Sequence, residues 1–108
     1  MNKITKVQIR SFVKEKLSTD PLWARHALLK IFELQTREEQ ESKATVDYNG
    51  VGFTGTDGRI LSSLALQLQK KRRLSEKQME IVYKKIPKYW GQVVKISNKN
   101  HLYSLINL

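Results

Sequence analysis

The 108-residue chain contains no cysteine, which excludes disulfide staples and every thiolate metal site. Histidine is almost as scarce. His26 and His101 stand far apart in sequence and read as half-buried or surface polar residues rather than as a ligand pair. No apolar run approaches the ~20 residues that a membrane-spanning helix needs, and MNKITKVQIRSF lacks the apolar centre of a secretory leader. The expectation is a soluble, cytoplasmic protein without membrane contact. Catalytic signatures are missing too. There is no nucleophile elbow and no H-E-x-x-H, Ser62-Ser63 has no assigned base, and Glu38, Glu39 and Glu41 cluster without a partnered histidine. The reading is a non-enzyme that needs no cofactor and no metal. The length suits one domain over residues 1–108, with one modest core.

Acidic residues are the next shortage. Ten Asp and Glu face twenty Lys and Arg, for a formal charge of +10. The imbalance is local: residues 59–108 hold eleven Lys and Arg against only Glu76 and Glu80, whereas residues 46–58 hold Asp47, Asp57 and no base. So lopsided a field attracts polyanions, of which nucleic acid is the commonest.

What is present is mostly helical patterning. Ile9, Phe12, Val13 and Leu17 lie at helical spacing and define a first amphipathic helix. Asp20-Pro21 then combines a capping carboxylate with a proline suited to the first helical position. The second helix runs through LWARHALLKIFELQ, its stripe of Ala24, Ala27, Leu28 and Ile31 widened by Trp23, Leu29 and Phe32. That girth marks it as the central helix. Thr36-x-x-Glu39 has the form of a capping box, which predicts a break and a new turn near Gln35–Gln40. A third helix follows Thr56 or Asp57 as its cap, carries Ile60, Leu61, Leu64, Ala65 and Leu68, and ends in KKRR. Ser75 with Gln78 opens a fourth helix through MEIVYKKI, with Met79, Val82 and Ile86 inward. Pro87 ends it or begins a fifth, in which Tyr89, Val93 and Ile96 share a face. The apolar tail HLYSLINL docks on the core or pairs two protomers. The fold class expected is mainly α: four or five helices, with a glycine-rich loop or small β-hairpin between the second and third.

That loop, NGVGFTG, matches G-x-G-x-x-G letter for letter, but a dinucleotide fingerprint also needs a strand before it and an acid about 20 residues on. The segment QTREEQESKATVDY is a poor buried strand, and the positions near 70 are basic. Asp57 at the helix start further disfavours an anion there. The glycines instead serve structure: Gly50 the turn, Gly52 and Gly55 close backbone approach, with Phe53 as an anchor on the core.

The stretch KKRRLSEKQMEIVYKKIPKYW gives two helices joined by a turn of about four residues, in the manner of a helix-turn-helix. Lys70, Lys71, Arg72, Arg73, Lys77, Lys84, Lys85 and Lys88 are candidate phosphate contacts for DNA or RNA. Gln78 has two available roles, hydrogen bonding to a base edge and closing the capping box. Tyr89 and Trp90 can stack on unpaired bases or pack on the core.

One resemblance joins these pieces. Gln35-Thr36 with Glu39-Gln40, Asn49-Gly50-Val51-Gly52-Phe53, Asp57 with Ile60 to Ser63, and Leu74-Ser75-Glu76-Lys77-Gln78 together make residues 28–94 resemble a small module found in proteins of bacteriophages and other mobile elements. The resemblance implies such a setting, in which handling nucleic acid and modulating a host or defence enzyme are both common tasks. It carries no catalytic residues. Non-catalytic nucleic-acid binding is the function expected, and an accessory protein that binds a host or defence enzyme is the alternative.

Overall fold

The computed structural model of the chain describes residues 4–41 and 52–106, and for 36–41 the backbone alone. The fold is mainly α, and no strand occurs among the described residues. In chain order the helices are α1 (Lys6–Thr19), α2 (Pro21–Glu41), α3 (Asp57–Gln69), α4 (Glu76–Lys85), α5 (Trp90–Ile96) and α6 (Lys99–Ile106), with a 3-10 turn over Ile86–Tyr89 between α4 and α5.

Helix starts follow local chemistry. Thr5 and Gln8 form a capping box on α1: the Gln8 N–H donates to Thr5 Oγ1 at 3.2 Å and the Thr5 N–H to Gln8 Oε1 at 2.8 Å. Asp20 then does two jobs. Its N–H closes α1 on the Lys16 carbonyl at 2.8 Å, and its carboxylate accepts the Leu22 N–H at 3.0 Å, with Pro21 next at the first helical position. The break expected near Gln35–Gln40 does not occur, because α2 continues to Glu41. Arg, Glu and Gln propagate a helix at little cost, and this outweighs the capping-box pattern of Thr36-x-x-Glu39.

The core draws on every helix. Val13 and Leu17 of α1, Leu28 and Ile31 of α2, Leu61 of α3, Val82 of α4 and Ile86 of the 3-10 turn are fully buried. Each such side chain contributes about 1.5–3 kcal/mol relative to exposure. The centre is shared, however. α2 packs on α1, α3, α4, the 3-10 turn and α5, while α1 packs on α2, α4, the 3-10 turn, α5 and α6. The narrow apolar stripe of α1 concealed how many neighbours it serves. The tail, as α6, reaches α1 and buries Leu102. Pro87 sits inside the 3-10 turn, where its ring tightens the chain between α4 and α5. The hairpin expected over residues 44–56 lies largely outside the described residues; Gly52–Thr56 is irregular.

Candidate nucleic-acid interface

The turn between α3 and α4 is six residues long, Lys70–Ser75, and it takes in the whole KKRR run. The sequence placed these cations at the end of α3; the helix stops one residue earlier. Its closure explains why. Lys71 adopts φ 60°, the Lys71 N–H donates to the Leu68 carbonyl at 2.9 Å, and the Arg72 N–H to the Gln67 carbonyl at 3.1 Å. This is a Schellman closure with lysine where glycine is usual, at a cost of about 1 kcal/mol.

Two glutamines brace the turn. Gln67 Nε2 donates to the Arg73 carbonyl at 2.8 Å and to Gln78 Oε1 at 3.0 Å, and Gln78 Nε2 donates back to Gln67 Oε1 at 3.2 Å. Gln78 Oε1 also accepts the Ser75 N–H at 2.9 Å, while the Gln78 N–H donates to Ser75 Oγ at 3.1 Å. The capping box expected at LSEKQ is therefore present, with the Gln78 oxygen accepting from Ser75 and Gln67 and its Nε2 donating to Gln67. Of its two candidate roles, the structure fills the internal one.

Lys70, Lys71, Arg72 and Arg73 are all exposed, and none makes an ion pair or side-chain hydrogen bond among the described residues. Lys77 and Lys84 are exposed on α4, seven residues apart and hence on one face, with Glu80 between them. Lys85 and Lys88 are placed differently. Both reach back to Asp57 at the start of α3: Lys85 Nζ lies 3.0 Å from Oδ1, and Lys88 Nζ pairs with Oδ2. Trp90 is half-buried and packs against the core.

Asp57 has a larger part than its place at a helix start suggests. It was expected to cap α3, as was Thr56, yet neither side chain makes that bond. The Asp57 carboxylate is buried and accepts from both lysines and from Tyr89 Oη at 3.2 Å. The lysine ammoniums, Lys88 first and then Lys85, outweigh burial and hold its carboxyl down from 3.8 to about 2. The carboxylate raises the Lys88 ammonium in turn. A lone acid facing a strongly basic half was the available signal, but its partners lie 28 and 31 residues away in sequence.

The glycine loop is tied into the same region. Tyr89 Oη accepts the Thr54 N–H at 3.1 Å, and its ring meets Phe53 edge-on at 5.4 Å, so Phe53 does anchor the loop. Gln35 Oε1 accepts the Phe53 N–H at 2.7 Å. Gln92 bonds the Gly52 backbone twice, at 2.8 and 3.0 Å. Gly52 allows a close approach, since a Cβ there would meet Gln35 Oε1 at 3.1 Å. Gly55 serves a different need, a left-handed φ of 58°, with open space around it. The backbone amides of Gly52, Phe53 and Thr54 are thus taken by the protein's own side chains.

Among the described residues no group of three His, Asp or Glu is placed to hold a metal ion, and no helix is long and apolar enough to cross a membrane. No known protein family, curated protein or solved structure matches the chain.

Proposed function

We propose that this chain binds nucleic acid without catalysing a reaction, gripping phosphates through the α3–α4 turn. The observation that carries the reading is four consecutive exposed cations, none paired among the described residues, on a turn whose backbone is braced by a glutamine pair. A fixed backbone lowers the ordering cost of binding, and unpaired cations have no internal bond to break. Lys77 and Lys84 extend the contact along α4. Lys85 and Lys88 are secondary, because each would have to share its charge with Asp57. With Gln78 engaged internally, the contacts are to the backbone rather than to base edges, so binding is indifferent to sequence.

A gel-shift panel over single- and double-stranded DNA and RNA at two salt concentrations tests this. Binding should appear at low salt, fall steeply as salt rises, and vary little with sequence. Undetectable binding at low salt, or affinity unchanged by salt, would refute the proposal.

A further inference from the structure

A surface that holds single strands combines cations that follow one backbone with aromatic faces on which unpaired bases stack. Around the α3–α4 turn the cations are free and the rings are not. Tyr89 is 4% exposed, its hydroxyl bonded to Asp57 and Thr54 and its ring set edge-on against Phe53. Trp90 and Tyr83 are half-buried and pack on the core. Stacking on a base would pull Tyr89 out of the Asp57 network, or Trp90 and Tyr83 out of the core. Tyr103 is exposed, but it belongs to α6, which packs on α1.

The cations, too, are arranged unlike those of a groove that tracks one strand. Such a groove spreads its charge along a path, whereas Lys70 to Arg73 crowd four cations onto consecutive residues. The left-handed Lys71 turns the chain within the run, so the four do not continue the line of α3. Lys77 and Lys84 stand about 10.5 Å apart along the α4 axis. Glu76 and Glu80 share that helix, which makes α4 the weaker half of the surface. A compact cluster of this kind gains most from a ligand of high charge density. A duplex carries one negative charge per ~1.7 Å of its axis, twice the density of either strand.

We infer that the α3–α4 surface selects double-stranded nucleic acid over single strands, by phosphate contact alone. The inference rests on the nucleic-acid reading proposed above, and its chemistry is common to DNA and RNA duplexes. Counterion release sets the size of the preference. Each phosphate contact contributes about 0.9 to the salt exponent on a duplex and about 0.7 on a single strand. Between ~1 M and ~0.1 M salt that difference favours duplex about sixfold for four contacts and about fifteenfold for six. One stacked base is worth about tenfold and would cancel the advantage. With no ring free to stack among the described residues of α3, the turn and α4, the duplex stays ahead.

The test is fluorescence anisotropy on the full chain at ~0.1 M salt, with a labelled duplex and each of its strands, in DNA and in RNA. The strands are chosen so that they cannot fold back on themselves. The duplex should bind at least about threefold more tightly than its own strands, in DNA, in RNA or in both. Arg72→Ala with Arg73→Ala should narrow that gap about 2.5-fold, because two contacts are lost. A smaller wild-type difference in both chemistries, or a preference for single strands, overturns the inference. A gap untouched by the double substitution does so too, since the preference would then arise elsewhere. So does quenching of Trp90 by single strands, followed in a Trp23→Phe background, because the ring would then be leaving the core to stack. Equal binding of both forms overturns this inference alone, whereas binding of none at low salt refutes the proposed function itself.

Discussion

Two irregular connections flank α3, and they are fastened in opposite ways. Gly52–Thr56, before the helix, is held from outside by Gln35, Tyr89 and Gln92, and the carboxylate that follows it is met by two lysines. Lys70–Ser75, after the helix, is held by glutamines of the two helices it joins, and its four cations meet no carboxylate among the described residues. In sequence the first resembles a nucleotide loop and the second a basic run. In three dimensions the first has spent its amides and charge internally, whereas the second holds its charge in exposed side chains unpaired among the described residues. What separates the structural loop from the proposed binding turn is which groups already have partners.

The sharpest way to break the first connection is Asp57→Asn, which leaves Lys85, Lys88 and Tyr89 facing a neutral amide. The loss should be about 2 kcal/mol, below the ~3–5 kcal/mol of fully buried pairs because both lysines reach water. Tm should fall by roughly 10 °C in calorimetry. The same pair predicts an acid limb. With the folded carboxyl lowered from 3.8 to about 2, its stabilisation is complete above pH 4 and disappears as pH falls through 2. Chemical denaturation across that range should show the limb in the wild type, diminished in Asp57→Asn.

The second connection is tested by Arg72→Ala with Arg73→Ala. The slope of log affinity against log salt should shallow by about 2, near 0.9 for each phosphate contact, with Tm unmoved. Lys85→Ala is the counterpart: Tm should drop while the salt slope changes by well under one contact. If Lys85→Ala flattens the slope as much as Arg72→Ala does, the distinction between paired and unpaired cations fails. Gln78→Ala removes half a capping box and the amide pair, for about 1 kcal/mol by denaturant titration, without altering preference among nucleic-acid sequences. Lys71→Gly should have the smallest effect. Relief of the left-handed backbone exceeds the added freedom of the unfolded chain by about 0.5 kcal/mol, a gain in stability with one cation fewer for binding.

Much of the fold could be read in advance. Asp20-Pro21, the Ser75–Gln78 box and the stripes through Leu28, Leu61 and Val82 are signals carried within a few residues, and each appears as expected. Thr5-x-x-Gln8 has the same form as the Ser75 box and caps α1 in the same way. The basic run was legible as charge; its position beyond the helix end was not, because lysine at φ 60° contradicts the preference for glycine there. The Asp57 site was hidden for another reason. Its partners come from the 3-10 turn and the end of α4, and only tertiary packing brings them within reach.

The glutamine brace also bears on how the proposed binding would respond to the solvent. Neutral amides neither titrate nor attract counterions, so Gln67 and Gln78 keep their mutual bonds from dilute buffer to high salt and across physiological pH. A turn latched by an ion pair would loosen under the same titration that weakens its ligand, and the two effects would be confounded. Here the turn keeps one shape while the ionic atmosphere changes. A measured salt slope therefore counts displaced ions and carries no contribution from melting of the turn.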